Sequence, residues 1–385
     1  MIDFEFTADH LMIKDAARDF AEKELAKGAA ERDENEQFPY EQVKKMADLG
    51  FMGMMVPVEF GGAGLDSVSY VLALEEISRV DASAGVIMSV NNSLVCWGLE
   101  KFGTEFQKQK YLSPLASGKM LGAFCLSEPE AGSDAANQHT TASREVDCYV
   151  LNGTKNFITN GANADVLLVM AATDKAKGAR GVSSFIVEKK FPGVVVSKKE
   201  HKLGIRSSDT AQIVFQDCHV PVENRIGEEG FGFKFAMMTL DGGRIGIAAQ
   251  AVGIARAALD ASLKYVKERK TFDKPLYEFQ AIQFKLAEMH ANIEAAHLLT
   301  LNAALKKDHG ERFTKEAAMA KLFSSKVAVD CALEAIQIHG GYGYLKDFPV
   351  ERFLRDAKIT EIYEGTSEIQ RIVIAREVLD LKNEK

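Results

Sequence analysis

The sequence predicts an α+β fold in three consecutive parts. These are an N-terminal α-helical domain over residues 1–120, a middle antiparallel β-domain over 121–232 and a C-terminal four-helix bundle over 233–385. Three observations carry this reading. Apolar residues recur at helical spacing through the first third, as at Leu11, Ala16, Phe20 and Leu25. Short β-type runs separated by turn residues begin near Leu121. Long, alanine-rich periodic stretches return from Phe233 onward.

The elements follow in order. A helix is expected over residues 7–33, and a second begins at Pro39, which suits a first helical turn, and ends near Gly50. Glu59-Phe60-Gly61-Gly62-Ala63-Gly64 is a turn-rich break. A helix from Ser67 to Arg79 follows, then an apolar segment from Ala82 to Gly98 and a helix after Thr104. In the middle part Tyr149-Val150-Leu151 and Asn156-Phe157-Ile158 flank Asn152-Gly153, which predicts a hairpin turn. Residues 166–170, 184–187, 194–196 and 211–215 read as further strands, closed off by Pro221 and the interdomain turn Gly227 to Gly232. Helices are expected at Ile245–Arg269, Gln280–Lys307, Thr314–Ile338 and Glu368–Leu381, with Thr314 as an N-cap and Gly340-Gly341 ending the third. Four long helices with shorter connections make a bundle.

Composition narrows the function. The chain has 385 residues, 46% of them hydrophobic, enough for a large core, and a net charge of -8 that argues against nucleic acid as a main partner. No apolar run approaches the roughly 20 residues that span a bilayer. The start, Met1-Ile2-Asp3-Phe4-Glu5-Phe6, lacks a basic segment followed by an apolar one, so a cytoplasmic protein is expected, or a mature mitochondrial matrix form whose leader has been removed. The five cysteines are scattered and never form a C-x-x-C pair, which predicts small buried hydrophobes in a reducing compartment and neither disulfides nor a metal site. No G-x-G-x-x-G opens a βαβ unit, so a Rossmann nucleotide site is not supported.

The most informative segment is Ile362-Tyr363-Glu364-Gly365-Thr366-Ser367-Glu368. It sets one carboxylate between an aromatic residue, whose apolar wall raises a carboxyl pKa, and a glycine, which lets a ligand approach the backbone. Such a carboxylate suits removal of a weakly acidic proton from carbon. On spacing alone, a solvated glutamate at a helix start remains the other reading.

Tyr363-Glu364-Gly365-Thr366 with Glu368-Ile369-Gln370 resembles the catalytic segment of the acyl-CoA dehydrogenases. Four more stretches resemble that family in the same order: Leu126-Ser127-Glu128-Pro129 with Ala131-Gly132-Ser133-Asp134, Asn152-Gly153-Thr154-Lys155 with Ile158-Thr159-Asn160-Gly161, Glu268-Arg269 with Phe272, and Gln337-Ile338-His339-Gly340-Gly341-Tyr342-Gly343. The resemblance implies FAD as cofactor, an acyl-CoA substrate and α,β-dehydrogenation to the trans-2-enoyl-CoA. It implies Glu364 as the base, with Gly365 offering backbone to the thioester. Some relatives carry the base directly before an arginine on a bundle helix. That position here is Gly243, in Asp241-Gly242-Gly243-Arg244, and glycine has no base to offer.

The same resemblance implies further roles. Phe124, Cys125, Leu126, Ser127 and Ser133 would run along the flavin, with Ser133 also touching the pantetheine arm, and Phe157, Ile158 and Thr159 would form the second flavin wall. Without the family, Phe157 reads as a sheet-core residue. Asp241 and Arg244 would contact substrate; the bland reading is a helix-start cap and a structural ion pair. Arg269 and Gln280 would contact the diphosphate and adenosine of a cofactor held by a neighbouring subunit, and Phe272 with the turn of Gln337, Ile338, His339, Gly340 and Gly341 would also bind cofactor, although the His339 side chain itself reads as structural. Thr366, Ser367 and Glu368 would open a helix beneath the diphosphate. Ser89-Val90-Asn91-Asn92-Ser93-Leu94 resembles the short-chain, butyryl-CoA type, with Gly98-Leu99 nearby. An electron-transferring flavoprotein as acceptor and a homotetramer follow from the family. A dehydrogenase for small branched or cyclic acyl groups, an acyl-CoA oxidase and a non-catalytic flavoprotein or thioester-binding subunit are the alternatives.

Overall fold

The computed structural model describes residues 5–381. Residues 1–4, on which part of the reading of the N-terminus falls, and 382–385 lie outside the described residues. The N-terminal part holds α1 (Ala8–Phe20), α2 (Ala29–Glu34), α3 (Tyr40–Asp48), α4 (Ser67–Val80), α5 (Ala82–Ser89), α6 (Trp97–Phe102), α7 (Glu105–Gln107) and α8 (Ser113–Ala116). The helix expected over 7–33 is broken at Gly28, whose φ of 82° takes the chain into the left-handed region before α2. Asp66 caps α4 by accepting from the Ser69 N–H at 2.7 Å. A π-helical stretch, Val90–Cys96, joins α5 to α6. The helical run Ala82–Phe102 is long and apolar enough by composition to cross a membrane, yet 94% of its apolar 18-residue window is buried inside the protein. It is a core helix.

The middle part contains β1 (Gly122–Cys125), β2 (Thr141–Arg144), β3 (Cys148–Thr159), β4 (Val166–Ala172), β5 (Val182–Glu188), β6 (Val194–Lys199), β7 (Thr210–Pro221) and β8 (Arg225–Ile226). They form one sheet in the order β6-β7-β3-β2-β4-β5-β8, with β1 added beside β4. Two expectations need correction. The sheet is not purely antiparallel, because β1 and β2 each pair with β4 in parallel. Asn152-Gly153 is not a hairpin turn: β3 runs straight through it for 12 residues. The register against β7 shifts between Leu151 and Gly153, which marks a β-bulge. There Asn152 Nδ2 donates to Asp217 Oδ1 at 3.0 Å, and a Cβ on Gly153 would lie 2.5 Å from Thr140 Oγ1. The glycine serves close approach within the sheet.

The C-terminal part holds α9 (Gly232–Glu268), α10 (Gln280–Asp308), α11 (Thr314–His339), α12 (Val350–Ile359) and α13 (Ser367–Val378). α9 begins thirteen residues before the expected Ile245, so Asp241 lies inside a helix and is not a helix-start cap. Thr314 does not cap α11 either. Its hydroxyl donates instead to Asp241 Oδ2 at 2.7 Å. α12 went unread between the expected helices. Gly340, at φ 59°, ends α11 as expected. One apolar core joins the sheet to the bundle through residues such as Leu168, Ile186, Phe235 and Ala328. A second joins α4 and α5 to the bundle through Leu72, Ile87, Ile245 and Leu301. The sheet and the N-terminal helices therefore both pack on the bundle.

Beside the sheet, Lys155 is fully buried and its Nζ donates to Glu128 Oε1 at 2.6 Å, Gln138 Oε1 at 2.5 Å and the Leu126 carbonyl at 3.1 Å. Burial alone would raise the Glu128 carboxyl, but Lys155 and the donors of Thr140 and His139 outweigh it and hold it below the usual range. This pair locks the 126–140 loop to β3. Lys155→Met leaves a buried carboxylate without its cation and is expected to cost about 3–5 kcal/mol in urea unfolding. A loss under about 1 kcal/mol would show that the pair contributes nothing to the loop.

Candidate active site

Glu364 sits in the turn between α12 and α13. It adopts φ 53° and Gly365 follows at φ 92°, so two successive residues occupy the left-handed region. For a residue with a side chain this costs on the order of 1–2 kcal/mol, and the surroundings hold it. Lys321 Nζ, on α11, donates to the Gly365 carbonyl at 2.8 Å. Gln370 Nε2, on α13, donates to the same oxygen at 2.8 Å and to the Glu364 carbonyl at 3.3 Å. Thr366 caps α13 through Oγ1, which accepts from the Ile369 N–H at 3.4 Å. Tyr363 swings away and donates to the Gln250 side chain.

The carboxyl points into the protein. Glu364 Oε2 reaches no solvent and has no hydrogen-bond partner. Burial pushes its pKa up to about 7, against the opposing pull of Lys321 and Arg244. A Cβ on Gly243 would lie 2.1 Å from this oxygen and 2.7 Å from Leu94 Cδ2. The glycine of α9 thus makes the room that the carboxyl fills, and the two possible base positions read from the sequence converge on one point in space. At Gly246 a Cβ would meet Ser89 Oγ at 2.4 Å and Tyr70 Oη at 2.7 Å, so α9 lies tight against α4 and α5 just below. Asn91 and Asn92 turn the other way. Their amides donate to the Met52 and Phe51 carbonyls at 2.8 Å each, which leaves Ser93 and Leu94 toward α9.

Arg244 Nη1 pairs with Asp241 Oδ1 at 2.6 Å, while its Nε is buried with no partner. Two orphaned polar atoms, one carboxylate oxygen and one guanidinium nitrogen, therefore face the same region. Native interiors rarely leave such atoms unpaired without a ligand to meet them.

The structure brings the expected flavin segments together. The Asn156 N–H donates to the Ser127 carbonyl at 2.9 Å, which joins the end of β1 to β3. Phe157 is 67% exposed at φ 58°, so it is not a sheet-core residue; a large ring stands uncovered at that point. Phe124, Cys125, Leu126 and Ile158 have their side chains in the core and offer backbone only. Ser133 is exposed and Thr159 half-buried, and Gly132 faces open space. Thr366, Ser367 and Glu368 line a cavity of about 570 Å³ with Lys326, Lys358 and Arg371. Cations at a helix N-terminus suit a diphosphate. Glu361 and Glu368 line the cavity too, and the three cations are paired with Asp330, Glu361 and Glu368, so it is the uncovered aromatic surface, the open glycine and the helix N-terminus that fit a flavin dinucleotide.

The remaining expected residues lie elsewhere. The Arg269 guanidinium stands over the Tyr342 ring at 5.5 Å, beside the exposed Gln337, Gly340 and Gly341. Phe272 is 86% exposed in a turn with φ 48°, and Gln280 opens α10 in solvent. Ile338 is buried, and His339 is stacked on Tyr265 at 4.1 Å with Nδ1 bound to the Ala335 carbonyl, so neither side chain is offered to a ligand. Lys321 and His339 are eighteen residues apart on α11, roughly 27 Å of helix. This surface is remote from the Glu364 of its own chain.

Sequence reasoning missed Lys321, Lys326, Lys358 and Arg371, and it quoted Gln370 in the motif without a role. A signal existed for one of them. Lys321 shares a helical face with Ala317, Ser324 and Ala328, all buried, and a lysine on such a stripe is costly. Cys148 is the one cysteine that is not buried, and its Sγ lies 3.4 Å from His219 Nδ1 and 3.6 Å from Glu145 Oε2.

The Glu364 pKa has a consequence for stability. Between 4.5, its ordinary value, and about 7, the folded chain keeps a proton that the unfolded chain has released. Stability therefore falls as pH rises through that window. Glu364→Gln is expected to be more stable than wild type at pH 8, by roughly 2–3 kcal/mol, with the gap closing toward pH 4.5. Thermal unfolding across pH measures it, and a gap that does not change with pH contradicts the burial.

Comparison with known proteins bears on the same architecture. The family descriptions of the acyl-CoA dehydrogenase N-terminal, middle and C-terminal domains match residues 7–119, 123–218 and 230–379. The mouse mitochondrial short-chain specific acyl-CoA dehydrogenase is 54% identical over 97% of this chain and 91% of its own. The short-chain specific acyl-CoA dehydrogenase of Clostridium acetobutylicum is 52% identical over 98% of this chain and all of its own, 100%. The structure of butyryl-CoA dehydrogenase from Megasphaera elsdenii superposes with a TM-score of 0.97 at 49% identity, covering 98% of this chain and 100% of that one. A chain in a structure of the electron transferring flavoprotein of Acidaminococcus fermentans gives a TM-score of 0.97 at 52% identity, over 98% and 100% of the two chains. With all three parts matched in order and more than half of the residues shared over nearly the full length, the protein belongs to the acyl-CoA dehydrogenase family, a family of flavoprotein enzymes.

Proposed function

We propose that the protein dehydrogenates a short-chain acyl-CoA, butyryl-CoA or a close analogue, to the trans-2-enoyl-CoA, with Glu364 removing the α-proton. The observation that carries this is the unpartnered carboxylate oxygen of Glu364, enclosed next to Gly243 with its pKa near neutrality. An α-proton on a thioester is far too weak an acid for a solvated carboxylate. Withdrawal from water makes the carboxylate a stronger base, and orientation supplies much of the rest. The turn at Gly365 leaves backbone N–H groups close to the base, where a thioester oxygen gains charge as the proton leaves; a donor of this kind is worth roughly 3 kcal/mol in a dry site.

FAD, when bound, supplies the two-electron acceptor chemistry that gives the β-hydride a destination. Phe124 to Ser127, Ser133 and Phe157 to Thr159 would hold it along the ring, and Thr366, Ser367 and Glu368 along the diphosphate. Arg269, Phe272, Gln280 and the Gln337–Gly341 turn would grip the cofactor of a neighbouring copy, because they lie too far from their own Glu364. The site is then complete only in an oligomer, and we place it in a homotetramer. Asp241 and Arg244 would meet the substrate, Arg244 through its free Nε. The preference for short chains rests on Leu94 and on the tight contact of α9 with Ser89 and Tyr70, which close the space below the carboxyl. A cavity of this kind discriminates by about 1–3 kcal/mol per methylene. We assign an electron-transferring flavoprotein as acceptor and the bacterial cytoplasm as compartment, in keeping with the five free cysteines. The domain boundaries we adopt are 120/121 and 232/233.

Anaerobic mixing of the flavin-loaded protein with acyl-CoA esters tests this. Butyryl-CoA is expected to bleach the flavin fastest, with rates falling about tenfold or more by the octanoyl ester. Glu364→Gln is expected to keep its flavin and bind the ester while losing at least about a thousandfold in rate. Unchanged bleaching by the variant removes Glu364 from its role, and a maximum at long chains removes the substrate assignment.

A further inference from the structure

We propose that Lys321 is a positioning residue for the base, whose ammonium both pins the Glu364–Gly365 turn and supplies the positive charge that keeps Glu364 available as a carboxylate. This rests on Glu364 being the base. Lys321 rises from α11 with a side chain 0% exposed. Its one hydrogen bond is to the Gly365 carbonyl at 2.8 Å, and among the described residues no carboxylate comes within ion-pairing distance of it. A buried lysine without a counter-ion is among the costlier residues a core can hold. As a tether alone it would be superfluous, since the neutral Gln370 amide already donates to the same carbonyl at 2.8 Å. What Lys321 adds is charge.

The surrounding groups show where that charge acts. Burial pushes the Lys321 ammonium down to about 8, and Glu364 is the strongest influence restoring it, ahead of Glu361 and Glu368; Arg244 works in the opposite sense. Seen from the base, only Lys321 and Arg244 offset the effect of burial, Lys321 first. Arg244, on α9, spends its charge on Asp241 at 2.6 Å. Tyr363 precedes the base and turns to Gln250, and Tyr70, on α4, bonds to Ser89 at 3.0 Å, so neither hydroxyl is committed to the carboxyl. Glu361 and Glu368 flank the turn as like charges, paired with Lys358 at 2.6 Å and Arg371 at 3.5 Å. Lys321, bound to the carbonyl next in the chain to the base, is left as the cation of this turn with no carboxylate partner among the described residues. It therefore sets the balance between a carboxylate buried enough to be basic and one so buried that it stays protonated.

The test uses the flavin-loaded holoenzyme and the variants Lys321→Met, Lys321→Gln and Lys321→Arg, with Glu364→Gln as reference. Flavin content, the thermal midpoint and the pH profile of flavin bleaching by butyryl-CoA are measured for each. Removing a nearby positive charge raises the pKa of the base, so the acid limb of the profile moves to higher pH. Lys321→Met and Lys321→Gln are both expected to bind flavin and to shift that limb up by about one unit, losing about tenfold in rate on the acid side and recovering as pH rises. Lys321→Arg is expected to return the limb toward wild type. Limbs in the Met and Gln variants that coincide with wild type overturn the proposal. So does restoration by Gln alone, which would make Lys321 a tether and nothing more. If Glu364→Gln itself proves active, it is the base assignment that has failed, and the two failures are distinct.

Discussion

One carboxylate held out of water governs this structure. Its basicity comes from burial, and burial of a charge is expensive unless neighbours share it. Everything around Glu364 reflects that constraint. The backbone enters the left-handed region to aim the side chain inward. Two donors from different helices hold the turn against its strain. A glycine on α9 leaves the space that the oxygen occupies. The result is a carboxyl with a pKa near neutrality, because the apolar enclosure raises it and the cations of α9 and α11 draw it back.

The three parts of the chain serve that arrangement differently. The bundle supplies Glu364 and the helices that clamp its turn. The N-terminal helices close the space beneath, through Leu94 and the Ser89–Tyr70 contact against α9. The sheet contributes a wall, where the end of β1 meets β3 and Phe157 stands uncovered. The length of α11 separates this centre from the Arg269–Tyr342 surface.

Much of this was legible in the sequence, for physical reasons. Long helices such as α10 and α11 announce themselves by their uninterrupted helix-forming composition, and Gly340 by its place at a helix end. Glu364 was legible only through the resemblance of its segment to the family, because the Tyr-Glu-Gly grammar alone left a solvated helix-start glutamate as the other reading. Asn152-Gly153 misled because the same dipeptide serves a tight hairpin turn and a bulge; only the strand pairing decides between them, and that is non-local. Phe157 misled for a related reason: an aromatic residue in a strand is a core residue by default, and its exposure depends on a positive φ that no local pattern encodes. Lys321, lying 43 positions before Glu364, stands out as a lysine on a buried helical stripe, but helix period does not say what the buried cation meets. The parallel pairing of β1 with β4 escaped for the same reason.

The central claim is that Glu364 and a flavin address the same two carbons of a thioester from opposite sides. The most direct measurement is a crystal structure of the flavin-loaded protein with a non-reacting short-chain acyl-CoA analogue. A Glu364 carboxylate oxygen about 3–3.5 Å from the analogue's second carbon, with the flavin ring across from it, is the predicted result. A carboxylate turned away from that carbon, or a thioester bound with no flavin opposite the base, contradicts the account.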